Sequence, residues 1–181
     1  MLRLDFGVPT THSPSIFWAP HSFFNVACQS PPIVQFTSVG REDTQRNVEA
    51  TGEFVVNFAA EPLRVQINAT ATDFPPEISE FDAVGLDREP SLRVKPSRVA
   101  ASPVALESRL HSMLRLGDST VVFGNVVHAA IAEEVLVNGH PEVGLLRPLC
   151  RLGRNEWGTI DEVMRVRRIP YAEWPGTPDI S

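Results

Sequence analysis

Two long β-patterned stretches follow one another past the middle of the chain and restrict its fold more than any other feature. Val104 to Leu116 alternates, with Val104, Leu106, Leu110, Leu114 and Leu116 on one face and Glu107, Arg109, His111 and Arg115 on the other, the pattern of a half-exposed strand. Ser119 to Ala132 is apolar on both parities apart from Asn125 and His128, as expected of a strand covered on two sides. A barrel or a dimer interface would supply that cover. Shorter strands are predicted at Ile33 to Val39, between Pro31-Pro32 and Gly40, and at Glu53 to Ala59. Asp43 is placed as the N-cap of a short helix from Thr44 to Thr51 that Gly52 closes, and a second helix is expected from Glu61 to Ala71 with Leu63, Ile67 and Val65 turned inward. Residues 73–103 carry five prolines and read as loop, with a brief helical turn near Glu77 to Ala83. Short turns between strands and only two clear helices favour a mainly β domain over a doubly wound sheet that needs a helix after every strand.

Composition narrows the function classes. The chain of 181 residues suits one domain. With 16 Lys and Arg against 22 Asp and Glu, broad binding to nucleic acid or anionic lipid is disfavoured. No stretch approaches the ~20 apolar residues of a membrane span and no secretory leader is apparent, so a cytoplasmic location is expected. Cys28 and Cys150 lack a C-x-x-C spacing and read as reduced thiols. His21, His111 and His128 form no metal-ligand spacing, so no metal is assigned. No G-x-S-x-G elbow supports a serine hydrolase.

Several short motifs occur in a telling order. The segment Ala19-Pro20-His21-Ser22-Phe23-Phe24-Asn25 resembles the A-P-[YH]-S-[FW]-F-N signature of the flavin-reductase-like, FMN-binding split-barrel family. Ser30-Pro31-Pro32 with Phe36-Thr37-Ser38, Asp43-Thr44-Gln45-Arg46-Asn47, and Thr51-Gly52-Glu53-Phe54-Val55-Val56-Asn57 resemble its D-P-P and following strand, its D-T-x-x-N and its T-G-E-F-V-V-N. Asn68 to Pro76 with Glu80-Phe81, and Pro148 to Gly153 with Trp157, resemble its N-x-T-[SA]-x-D-[YF]-P-P…E-F and P-[LV]-x-R-L-G stretches. The resemblance covers residues 18–167, leaving 1–17 as a divergent N-terminal segment and 168–181 as a C-terminal tail. It implies a β-barrel with a few short helices, a six-stranded antiparallel split barrel that forms homodimers, with FMN near the subunit interface.

FMN carries a dianionic phosphate, a polyol and an apolar tricycle, so its site needs amide and hydroxyl donors at one end and a flat apolar slot at the other. The resemblance places Ser38, Arg41 and Thr44 at the phosphate, in a strand-to-helix turn whose free N–H groups favour an anion, with Asn47 in the same motif. It places Ser22, Asn25, Phe36 and Thr37 near the ribityl chain and the ring. For Phe23 and Phe24 core packing outweighs ring contact. For Asn68 and Thr70, ligand contact and a solvated or capping role both stand open, and Trp157 could cover the flavin or a partner subunit. No acid–base pair is assigned as catalytic.

Two departures from the family pattern bear on function. Glu42 stands where the family commonly has Lys, a reversed charge beside the expected phosphate for which Arg41 is a candidate compensator. Residues 1–17 do not match the front strand, usually P-R-P-[IV]-x-[WL]-V-S-T, so that strand is expected to be missing or divergent. The implied activity is an FMN-binding oxidoreductase in which NADH or NADPH passes hydride to the flavin. The alternative is a non-catalytic flavin-binding protein or dimeric scaffold with a degraded flavin site.

Overall fold

The structure is a computed structural model that describes residues 2–7, 16–72, 74–75, 78–174 and 176, with backbone only for those up to residue 20. Its strands and helices in chain order are β1 Leu2–Gly7, β2 Ile16–His21, β3 Phe24–Cys28, β4 Ile33–Val39, α1 Asp43–Thr51, β5 Glu53–Phe58, α2 Arg64–Ala69, α3 Glu80–Val84, β6 Arg88–Glu89, β7 Arg98–Val99, β8 Val104–Leu116, β9 Ser119–Ile131, β10 Leu136–Val137, β11 His140–Pro141, α4 Val143–Leu146, β12 Leu149–Gly153 and β13 Glu156–Thr159. Seven strands, not the six that the resemblance implies, form one antiparallel sheet in the order β2-β1-β5-β8-β9-β4-β3. Its outer members β2 and β3 are consecutive in the chain, joined only by Ser22-Phe23. Thr37 N–H on β4 donates to Phe23 O at 3.0 Å, extending the β3–β4 ladder, and His21 at the end of β2 reaches Thr37 O at 3.3 Å, so the two margins of the sheet meet there.

A strand does stand at the front: β1 pairs with β5 from Leu2 opposite Phe58 to Asp5 opposite Val55, and with β2 on its other side. Residues 8–15 of the divergent segment, Glu77 of the expected helical turn, and Pro175 with 177–181 of the tail lie outside the described residues.

The barrel interior is filled by Val34, Phe36, Val48, Phe54, Val56 and Val122, with Phe36 and Phe54 edge to face at 5.6 Å. Such a pair adds about 1 kcal/mol to the burial of its rings. A second cluster, Ala59, Leu63, Ile67, Phe81, Leu86, Val99 and Leu149, seats α2 and α3 against the barrel's end. Strand β4 runs inward at Val34, Phe36 and Ser38, so its alternation ends on a buried hydroxyl. The region expected as one helix from Glu61 is a 3₁₀ turn, Glu61–Leu63, leading into α2. Val65 there is exposed, because the stripe facing the core is carried by Leu63 and Ile67 alone.

The long hairpin corrects the sequence reading in an informative way. Two register shifts place Val127 of β9 and His111 of β8 as extra residues in the ladder, and a bulge exchanges the faces beyond it. Leu106 and Leu110 face the interior as expected, but past His111 the inward residue is Met113. Leu114 and Leu116 are left exposed. Glu107 lies on the opposite face, as the alternation requires, yet it is fully buried because the loop between β6 and β7 covers it. Strand β9 buries Thr120 and Val122 and brings Gly124 against Phe54, while Val127 and Ile131 stay exposed. One chain therefore covers one face of this strand rather than two. No helix among the described residues is long and apolar enough to cross a membrane.

Candidate functional site

A cleft of about 500 Å³ opens where the end of β2, the second half of β4, the start of α1 and the turn after α2 converge. That size falls in the range of small-molecule sites, roughly 300–1,000 Å³. Its polar end is built by the turn between β4 and α1. Gly40 has φ 73°, which reverses the chain without the Cβ penalty another residue would meet, and its N–H donates to Asp118 O at 2.8 Å. The residue at the N-cap of α1 is Glu42, not Asp43, and its side chain makes no capping bond. The first intrahelical bond, Arg46 N–H to Glu42 O at 3.2 Å, leaves the amides of Asp43, Thr44 and Gln45 without an intrahelical acceptor. The Glu42 carboxylate instead folds back over Gly40, 3.4 Å from where a Cβ there would sit.

Buried hydroxyls of Ser38 and Thr44 line this end. The Ser38 Oγ contact to Gly40 O is long, 3.5 Å, so the hydroxyl keeps most of its donor capacity. His21 reaches across from β2, with Nδ1 3.3 Å from Thr37 O and Nε2 3.3 Å from Thr44 Oγ1, and its ring lies 4.8 Å from that of Phe36. The apolar end is supplied by Phe23, 65% exposed on the cleft rim, and by Phe74. Glu42, Asp43 and Glu80 add carboxylates to the wall, Asp43 being paired with Arg46.

This arrangement offers hydroxyl and amide donors at one end and an aromatic face at the other. The sequence profile of the flavin reductase like domain matches residues 8–146. The chain belongs to that family, and with it to the flavin-dependent oxidoreductases. An uncharacterized protein of Halalkalibacterium halodurans is 33% identical over 162 residues, covering 83% of this chain and 77% of its own. The structure of the Pseudomonas fluorescens 2-nitrobenzoate 2-nitroreductase superposes with a TM-score of 0.84 at 26% identity, over 97% of this chain and 87% of that one. A flavin-reductase-type protein with a split barrel domain from Shewanella frigidimarina gives 0.84 at 18% identity over 93% and 85%, which establishes the fold as the split barrel.

The donor set fits a flavin of this family. Ser22, Thr37, Ser38 and Thr44, all expected from the motifs, line the cleft together. The structure does not bring the other expected residues into it. Phe36 is fully buried in the barrel core, and the Asn25 amide oxygen accepts from Val26 N–H on an exposed strand. Arg41 points away and pairs with Glu49 at 3.0 Å. Hydrogen bonding from Gln45, then from Arg41, holds the Glu49 carboxyl below its ordinary pKa. The charge offered as compensation for Glu42 is thus engaged on the far side of α1. Asn47 is buried beneath α1, and its Nδ2 has no partner among the described residues. Asn68 is exposed at the end of α2, while Thr70 reaches the cleft. Trp157 packs against the second core cluster with the Arg151 guanidinium 4.8 Å above its ring.

Phe23, expected in the core, is on the rim, because β3 turns it away from the interior that Phe24 enters. His21, Thr72, Phe74 and Glu80 were not singled out as site residues. The signal was present, since all four fall inside or beside matched motifs.

Proposed function

We propose that the cleft holds FMN, that NADH or NADPH is the reductant, and that the electrons pass on to a second acceptor. FMN in such a site would supply the redox chemistry, accepting hydride from the nicotinamide. The chain's contribution is orientation. Ser38, Thr44 and the open amides of the first turn of α1 hold the phosphate, Ser22 and Thr37 meet the polar chain and ring edge, and Phe23 and Phe74 flank the apolar ring. The observation that carries this reading is the uncapped start of α1 beside two buried hydroxyls, a donor set matched to a phosphate. The nitroreductase relative supports turnover rather than storage.

The Glu42 carboxylate at the cleft favours a second reading, flavin binding without catalysis. One experiment separates them: FMN titrated into purified protein and followed by flavin fluorescence, then NADH or NADPH added without oxygen. Uptake followed by bleaching of the flavin absorbance is expected. Uptake without bleaching by either nicotinamide would leave the non-catalytic reading, and no uptake would remove FMN.

A homodimer in the cytoplasm is the proposed setting. The apolar residues of β9 that one chain leaves open, Val127 and Ile131, together with Leu114 and Leu116 on β8, are surface that a second copy would cover. Sedimentation is expected to give about twice the 20.0 kDa chain mass. A monomer at micromolar concentration would overturn the pairing.

A further inference from the structure

The cleft contains an imidazole–hydroxyl pair whose geometry fixes the direction of its hydrogen bonds. His21 Nδ1 faces a carbonyl oxygen, Thr37 O, at 3.3 Å. A carbonyl only accepts, so Nδ1 carries the proton there. In the neutral ring Nε2 is then an acceptor, and the only proton Thr44 Oγ1 has to give it, across 3.3 Å, is that of its hydroxyl. Thr44 in this state turns lone pairs toward the cleft, the wrong polarity for an anion. When the ring takes up a second proton, Nε2–H becomes the donor to Thr44 Oγ1. The hydroxyl proton of Thr44 is then released to point into the cleft, and a positive charge lies behind it.

We propose that His21 is a positioning residue for the phosphate of the flavin, and that binding of FMN at Thr44 is coupled to protonation of His21. This rests on the FMN reading of the cleft. The coupling also answers the charge at the site. Among the described residues, Glu42 and Asp43 at the head of α1 and Glu80 at the head of α3 are the acidic groups lining the cleft, and Arg41 is committed to Glu49. Protonated, the His21 ring adds a positive charge behind Thr44, which favours a dianionic ligand there.

The sign follows from linkage. The phosphate favours the protonated ring, so FMN affinity is highest at low pH. It falls as pH rises through the histidine range, by up to about tenfold per unit where one proton is coupled, and levels off once the bound ring also deprotonates. The second phosphate ionisation, near pH 6, works in the opposite direction, so a fall in affinity above pH ~6.5 is not the ligand's own titration. Riboflavin has no phosphate and is expected to bind with flat pH dependence.

Calorimetric titration of the full chain with FMN and with riboflavin between about pH 6 and about pH 8.5, in two buffers of different ionisation enthalpy, counts the protons taken up. Net uptake with FMN and none with riboflavin is expected, together with an upward shift of the His21 imidazole titration in NMR when FMN is added. In His21→Gln, whose amide still donates but does not titrate, FMN affinity is expected to lose its pH dependence. If FMN binds with the same pH profile in wild type and His21→Gln, or without proton uptake, the coupling is overturned while the FMN reading stands. If FMN and riboflavin bind equally at every pH, the phosphate is not at Thr44 and the coupling falls. If neither flavin binds, the FMN reading itself fails and takes the coupling with it. The wild-type proton count and NMR titration decide the matter even if His21→Gln folds poorly.

Discussion

The loop between β6 and β7 and the turn into α1 both bring carboxylates up to backbone N–H groups, and they use them in opposite ways. In the loop and at the β7 strand that follows it, four such reaches are completed. The Glu107 carboxylate accepts from Leu92 N–H at 2.9 Å and Arg93 N–H at 2.6 Å, Glu53 accepts from Lys95 N–H at 3.0 Å, and Asn57 Oδ1 accepts from Val99 N–H at 3.0 Å. Three side chains on β5 and β8 thus staple the loop to the barrel. At the head of α1 the carboxylate of Glu42 leaves the amides uncapped, and the neighbouring hydroxyls are only loosely held. Satisfied donors make a wall, whereas open donors beside a cleft make a place for a ligand.

The largest expected effect tests the staple. Glu107→Ala removes both acceptors and leaves two loop amides to find water, a loss of about 3 kcal/mol in unfolding free energy from urea titration. Glu107→Gln, able to accept at one oxygen only, should lose less. A change under about 1 kcal/mol for the alanine variant would mean that the loop finds other acceptors and that the contrast is false.

The next effect tests how rigid the stapled barrel is. A Cβ at Gly124 would lie 2.2 Å from the Phe54 ring, whereas one at Gly40 would meet only the Glu42 carboxylate at 3.4 Å. Gly124→Ala is expected to destabilise by about 2 kcal/mol through overpacking, and Phe54→Leu in the same chain should recover part of it. Gly40→Ala acts through its positive φ instead, at about 1 kcal/mol. Equal losses without rescue by Phe54→Leu would show that the interior yields as easily as the turn.

A third test moves to the open donors. Ser38→Ala with Thr44→Ala is expected to weaken FMN roughly tenfold more than riboflavin, because both hydroxyls are assigned to the phosphate. Fluorescence titration of both ligands reads it, and equal losses would put the phosphate elsewhere.

The contrast also explains what the residues revealed beforehand. Strands β4 and β5 and helix α1 were legible because local signals, Pro-Pro, Gly40 and Gly52, bound runs of unmistakable period. The burial of Glu107 was not, since its partners come from a loop some fifteen residues earlier and no local pattern announces them. The bulge at His111 was equally silent: one inserted residue exchanges the faces of Met113 and Leu114 without altering composition. Within the cleft, Ser22, Thr37, Ser38 and Thr44 were legible through motif order. Arg41 was misplaced because its direction depends on Glu49 two turns along the helix, and His21, although inside the Ala19 to Asn25 motif, was passed over because a lone histidine is more often structural.

The smallest effect is the most direct probe of the open side, because it concerns the one acidic residue that stands where a cap could close it. Glu42 is exposed and folded over Gly40 at the cleft wall, so its repulsion of a phosphate is screened by water and salt. Glu42→Lys reverses that charge without touching the hydroxyls or the amides. FMN affinity at low ionic strength is expected to rise roughly fivefold, the scale of a screened exposed pair, with riboflavin affinity nearly unchanged. The gain should shrink as salt is added, since the Debye length falls to about 8 Å at physiological ionic strength. Because Arg41 is tied to Glu49, it does not mask the effect, and Glu49→Gln, which frees Arg41, should change FMN affinity less than Glu42→Lys does. If titration at low salt shows no gain for FMN, the carboxylate of Glu42 does not face the phosphate, and the head of α1 is open for a reason other than anion binding.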